Sequence, residues 1–241
     1  GADLWQFGVD FNYSGDAQQW AFAGREQRRS ALAYPALRGV NQLLNASAVL
    51  AGLEALRFQL VVPASAIREG LLRATVPGRM QILPGQPTVI LDVAHNPHAA
   101  GALAQNLQQM PSTPGAKTIA VVGVFKDKDV KAVIQRLLPV VDIWICATLE
   151  GPRALSGEQL GQWVREVAQL PLESQTDVLV TTPKVRAVVN QVDLTKIEVL
   201  TEGTMVQGFV KAQSMAGLND RILVFGSFFA VGPVLEHLGR L

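Results

Sequence analysis

Two histidines fall three residues apart in the stretch TVILDVAHNPHAAGAL, residues 88–103, of a chain that has only three. An apolar run ends in the acid Asp92. His95, Asn96 and Pro97 follow, and then small residues at helical spacing. Pro97 suits the first position of a helix, which makes Asn96 the N-cap and leaves His95 just outside the helix N-terminus. Unpaired backbone N–H groups and the helix dipole favour an anion there. An imidazole at that point suits a carboxylate ligand, and an acid at the end of the strand suits a ribose hydroxyl or the water shell of a cation. The His95–His98 pair lacks the cysteine or acidic partners that zinc requires, so His98 is expected on the first helical turn, partly solvated.

Two other strand ends carry polar residues. The run TIAVVGVF leads into Lys126, Asp127, Lys128 and Asp129, and RILVF leads into Gly226 and Ser227. The alternating charges of FKDKD suit a solvated helix cap, with Lys128 reaching a nucleotide or an interdomain contact as the alternative. Neither G-x-x-x-x-G-K-[ST] nor G-x-G-x-x-G occurs, so a phosphate loop for ATP would have to lie elsewhere. No G-x-S-x-G elbow points to a serine hydrolase.

The elements that must position these residues fall into two parts. Over residues 1–37, Trp5, Phe7, Val9 and Phe11 alternate, NYSGD supplies a turn, and QQWAFAGREQRRSALAYPAL supplies a return strand with a basic hairpin end at residues 25–29. Residues 39–58 have helical spacing, and a shorter helix follows Pro63. Pro77, Gly78, Pro84, Gly85 and Pro87 then cluster, and the boundary is set there: domain one over 1–77 and domain two over 78–241. Beyond it, strands TVILDVA, TIAVVGVF, DIWICATL, DVLVTT, KIEVLT and RILVFGSFF alternate with helical segments, TPKVRAVVNQV among them. Continuous Val/Ile/Leu strands alternating with helices predict an α/β domain with a doubly wound, mostly parallel sheet covered on both faces. Ligands of such sheets bind beyond the carboxyl ends of the strands, where the polar residues above fall.

The totals narrow the class. A chain of 241 residues, 49% hydrophobic and with a net charge of +1, has a globular composition and offers no global electrostatic case for nucleic acid or an anionic membrane. The single cysteine, Cys146, excludes a disulfide framework and lies in an apolar strand. The absence of a signal sequence or a long apolar run predicts a cytoplasmic protein. The opening GADLWQFGVDF has no first cap and is expected to be internal to a longer protein.

Several segments together resemble one family. LDVAHNPHAA is similar to the aspartate–small–alanine–His-Asn-Pro motif of the folylpolyglutamate synthase and dihydrofolate synthase family, in the Mur ligase superfamily. GVNQLLNASAVLAGLEAL resembles its Asn-Ala helix at the end of a central ATPase domain, and VPGRMQIL its Pro-Gly-Arg interdomain segment. GVFKDKD and VFGSFFAVGPV resemble later motifs of its C-terminal domain. Val93 replaces the usual glycine, as in the bacterial bifunctional branch.

The resemblance implies a Rossmann-like C-terminal glutamate-ligase domain preceded by the tail of the ATPase domain. The implied reaction joins L-glutamate to dihydropteroate or a reduced folate, with ATP and Mg2+, through an acyl phosphate. Asn45 would meet the adenine side of ATP, with Asn41 one turn earlier as its rival. Arg79 would reach phosphate and Asp92 the ribose. His95, the candidate catalytic residue, and Ser227 would hold the incoming glutamate, His95 facing a cleft between the domains. The phosphate loop and the magnesium ligands would lie on an absent N-terminal portion, which leaves this chain inactive alone. A cell-wall Mur ligase and a non-catalytic binding module are the alternatives.

Overall fold

The structure, a computed structural model, describes residues 1–16, 18–169 and 197–240. The predicted strand DVLVTT and helix TPKVRAVVNQV lie outside these residues. The chain divides into two compact units, Gly1–Val76 and Pro77–Leu241.

Unit 1 is a three-stranded antiparallel sheet with two helices. Its strands are β1 (Asn12–Gly15), β2 (Gln19–Ala23) and β3 (Arg28–Ala33), in the order β1-β2-β3. Helices α1 (Gln42–Ala55) and α2 (Ala64–Arg73) follow, and Leu43, Leu50 and Ile67 pack with Trp20, Phe22 and Leu32. Glu54, only 1% exposed, accepts the backbone N–H groups of Glu26 at 2.6 Å and Gln27 at 3.0 Å, which ties α1 to the β2–β3 hairpin. Both donors reach Oε1, and Oε2 is buried with no partner among the described residues.

Two expectations for this unit fail. The alternation from Trp5 to Phe11 makes a turn, closed by Gly8 N–H on the Phe11 carbonyl at 2.8 Å, and the expected turn NYSG forms β1 instead. The basic hairpin end forms between β2 and β3 and is largely exposed, and there Arg25 engages Asp10 at 3.0 Å and Asp3 at 2.9 Å, its guanidinium 4.4 Å from the Trp5 ring. Those interactions satisfy the arginine against a turn, where alternation alone had suggested a strand.

Unit 2 is built on a six-stranded sheet. Its strands are β4 (Gln81–Leu83), β5 (Thr88–Asp92), β6 (Thr118–Val122), β7 (Ile143–Ala147), β8 (Glu198–Glu202) and β9 (Arg221–Phe225). The order is β4-β5-β9-β6-β7-β8; β4 runs antiparallel to β5 and the other pairs are parallel. The short β4, in a segment read as linker, was not anticipated. The helices are α3 (Pro97–Gln109), α4 (Val130–Leu137), α5 (Gly157–Ala168), α6 (Met205–Met215) and α7 (Phe228–His237).

Both sheet faces are covered. Ile90, Ala120 and Val122 pack with Leu103 of α3, Ile134 of α4 and Val164 of α5. Val89, Leu91 and Val121 pack with Phe209 of α6 and Val234 of α7. Strands buried on two sides need apolar residues at every position, which accounts for the unbroken runs TVILD and TIAVV. No helix among the described residues is long and apolar enough to cross a membrane.

Candidate active site

The order β5-β9-β6 places the carboxyl ends of three parallel strands side by side, with α3, α7 and α4 starting just beyond them. The chain leaves β5 for β6 by way of α3 and returns to β9 between them. This is a topological switch point, where helix N-termini diverge and leave a crevice.

The β5–α3 turn is fixed residue by residue. Asn96 caps α3 by accepting the Ala99 N–H at 2.9 Å, and Pro97 occupies the first turn, where its missing N–H costs nothing. His95 precedes the cap. Its Nδ1 lies 2.8 Å from the Val93 carbonyl oxygen. A carbonyl only accepts, so Nδ1 carries the proton and Nε2 is left for a ligand.

Asp92 turns the other way. Its two oxygens accept the N–H groups of Met80 and Ala94, each at 2.8 Å. Burial pushes its carboxyl above the usual carboxylate range, and those two donors and the charge of Arg79 partly offset that. Gly78 locks the neighbouring loop: its carbonyl accepts the Val93 N–H at 2.8 Å and its φ is +70°. A Cβ there would lie 2.9 Å from Val93 Cγ1. Arg79 is exposed on this loop beside Asp92.

Ser227 occupies the N-cap position of α7 but makes no capping bond, and its Oγ is buried with no partner among the described residues. Gly226 before it has a φ of +130°, and an added Cβ would run into the Gly123 carbonyl oxygen. The glycine therefore lets β9 turn sharply against β6 and deliver the serine.

A cavity of ≈190 Å³ lies among His95, Ser227, Phe125, Lys128, Arg153 and Phe229. Lys128 Nζ is 3.3 Å from the Asp127 carboxylate and Arg153 Nη1 is 3.7 Å from it. Two cations face one anion, so the rim keeps a net positive charge. With Ser227 Oγ, the imidazole and the start of α7, the cavity suits a small anionic ligand with an acidic or amine group near His95.

Of the residues selected from sequence, His95 and Ser227 share this cavity, and Lys128 lines it. Asp92 and Arg79 adjoin each other at the Gly78 loop and do not line it. The fixed backbone of Val93 and Ala94 connects the two pairs. Asn45 belongs to unit 1, exposed on α1, with its amide 3.3 Å from Gln42 Oε1. It borders an apolar cavity of ≈260 Å³ between α1 and α2. Arg153 and Phe125 were missed. Arg153 follows β7 in the segment LEGPR, a strand end on the same side of the sheet as those of β5, β6 and β9. Among the described residues no group of three or more His, Cys, Asp or Glu could hold a metal ion.

Comparisons with known proteins agree with this geometry. The family described as Mur ligase, glutamate ligase domain, matches residues 78–228. The dihydrofolate synthase/folylpolyglutamate synthase of Escherichia coli K12 is 41% identical over 98% of the chain, and that of Haemophilus influenzae is 28% identical over 92%. The chain covers 46% and 47% of those proteins, so it spans about half their length. Among solved structures, E. coli FolC in complex with DHPP and ADP superposes with a TM-score of 0.77 at 32% identity, over 97% of this chain and 47% of that one. A bifunctional folylpolyglutamate synthase/dihydrofolate synthase with Mn, AMPPNP and L-glutamate bound gives 0.76 at 32% identity, over 99% and 48%. The sheet order, the switch-point cavity and these matches lead to one assignment: the chain belongs to the Mur ligases and carries their glutamate ligase domain.

Proposed function

We propose that the protein carrying this chain is an ATP-dependent ligase that adds L-glutamate to dihydropteroate or a reduced folate, and that the His95–Ser227 cavity receives the glutamate. The carrying observation is the cavity itself: a buried hydroxyl and an imidazole nitrogen, each without a partner among the described residues, at the carboxyl ends of adjacent parallel strands. The folate relatives, matched along nearly the whole chain, favour this reading over a cell-wall Mur ligase.

The chemistry divides between groups. The acceptor carboxylate attacks the γ-phosphorus of ATP, ADP leaves, and an acyl phosphate results. The glutamate amine then attacks the acyl carbon, the tetrahedral intermediate collapses, and phosphate leaves with the C–O bond pair. The gain comes from positioning and charge neutralisation. His95 Nε2 and Ser227 Oγ orient the glutamate, and Nε2 can take the proton that the attacking amine sheds. Arg79, exposed and without a hydrogen-bond partner among the described residues, fits a phosphate, since its planar fork binds two oxygens at once. Asp92 keeps further lone pairs beyond its two backbone bonds and fits a ribose hydroxyl. Asn45 is assigned to the adenine.

The described residues contain no cluster fitting Mg2+. The phosphate loop and metal ligands are assigned to an N-terminal portion of the same protein, since this chain matches only about half of its relatives' length. Residues 1–241 alone accordingly do not turn over ATP. ATP and reduced folates as substrates place the enzyme in the cytoplasm.

The test is mass-spectrometric detection of glutamylated product from ATP, dihydropteroate and L-glutamate. The intact protein is expected to form it and residues 1–241 alone are not. Product from UDP-linked peptides, with none from dihydropteroate, would replace folate by the cell-wall reading.

A further inference from the structure

The cavity has an order along the sheet. His95 lies beyond β5, Ser227 beyond β9, Phe125 and Lys128 beyond β6, and Arg153 beyond β7. The Arg153 segment folds back onto the end of β6, so β9 separates Arg153 from the imidazole beyond β5. Its placement is prepared in three ways. Its backbone carbonyl accepts the Lys126 N–H at 2.9 Å, the next residue Ala154 forms a β-bridge with Phe125, and the guanidinium carbon sits 4.7 Å from the Phe125 ring centre. Phe125 is itself held edge-on against Phe229 at 5.2 Å.

The two rim cations are not equivalent. Lys128 is within hydrogen-bonding distance of Asp127 at 3.3 Å, whereas Arg153, at 3.7 Å from the same carboxylate, makes no hydrogen bond to it. Among the described residues the Arg153 side chain makes no hydrogen bond; it is more than half exposed, with its guanidinium beside the Phe125 ring and its donors open to a ligand. A guanidinium so held matches a carboxylate with two parallel N–H bonds.

We propose that Arg153 is the specificity-determining residue of this cavity, binding the carboxylate farthest from the reacting amine and so selecting a dicarboxylic amino acid over its amide. This rests on the reading of the His95–Ser227 cavity as the amino-acid site. An amide in place of that carboxylate loses the charge-assisted pair, and discrimination of about 10-fold follows.

The test is an NMR titration of residues 1–241 with L-glutamate, L-glutamine and glutarate, following the amides of Gly226, Ser227 and Ala154. The wild type is expected to bind glutamate and glutarate about 10-fold more tightly than glutamine. Arg153→Gln should abolish that preference while glutamine binding is unchanged, and Arg153→Lys should restore part of it. Amides of β7 and α5 report whether either variant is folded. Binding with an unchanged glutamate-to-glutamine ratio in both variants overturns the role of Arg153 and leaves the amino-acid site standing. Absence of any shift with glutamate and glutarate in the wild type overturns both.

Discussion

His95 Nδ1 lies 2.8 Å from the carbonyl oxygen of Val93, two residues earlier in its own turn. That contact sets the tautomer and the ring orientation by local backbone geometry alone. The Val93 N–H is in turn held by the Gly78 carbonyl, and Ala94 N–H by Asp92. The imidazole is thus mounted on a turn whose neighbouring backbone groups are already committed, so little reorganisation is needed when a ligand reaches Nε2.

The Asn96 cap holds one end of that turn. Asn96→Ala removes the acceptor for Ala99 N–H and is expected to cost about 1 kcal/mol. Urea unfolding of unit 2 measures the loss, and an altered His95 ring signal would report the displaced turn. An unchanged midpoint would mean that Pro97 alone starts α3.

Gly78 holds the other end. Gly78→Ala forces a side chain onto a φ of +70° and against Val93 Cγ1 at 2.9 Å, and is expected to cost ~1–3 kcal/mol. Gly101, inside α3 with nothing within 4 Å of an added Cβ, is the control. Gly101→Ala should stabilise the same unit by ~0.5–1 kcal/mol. Stabilisation by both substitutions would contradict the packing described for the Gly78 loop.

Asp92 predicts a pH dependence of known sign. Burial is the largest influence on it and raises its carboxyl above the ordinary 3.8; Met80 N–H, Ala94 N–H and Arg79 act in the opposite direction. The folded state therefore holds the proton more tightly than the unfolded chain does. Its contribution to stability is fully present below 3.8 and is lost as pH rises through the raised value. Urea unfolding of wild type and Asp92→Asn between about pH 3 and pH 7 isolates the effect, because asparagine does not titrate. The stability of the wild type relative to the variant should fall as pH rises; an increase would contradict the burial of this carboxylate.

Cys146, fully buried in β7, has its thiol pushed up to about 12 by burial, with Arg165 acting weakly in the opposite direction. A thiolate-selective reagent at mildly alkaline pH should leave the folded protein unlabelled and label one thiol per chain after unfolding. Rapid labelling of the folded protein would place this residue at the surface.

The α/β architecture of unit 2 was legible because its strands are buried on both faces and spell continuous apolar runs, and because Asn96-Pro97 announces a helix start. Unit 1 was harder. The alternation Trp5-Phe7-Val9-Phe11 imitates a strand, yet Gly8 and the Arg25 cluster close it as a turn, a long-range outcome that no local period records. His95 and Ser227 were visible as polar residues at strand ends. Their meeting in one cavity depends on β9 inserting between β5 and β6, which chain order does not reveal. Arg153 escaped notice for the same reason, since it lies in a loop whose strand is separated from β5 by two others.

The most direct test of the account is glutamate ligation by the intact protein with His95→Ala and Ser227→Ala, measured against wild type with glutamate and ATP varied separately. Each variant should raise the KM for glutamate about 10-fold or more and leave the KM for ATP unchanged. Wild-type glutamate KM values in both variants, or an effect confined to ATP, would contradict the assignment of this cavity to the incoming amino acid.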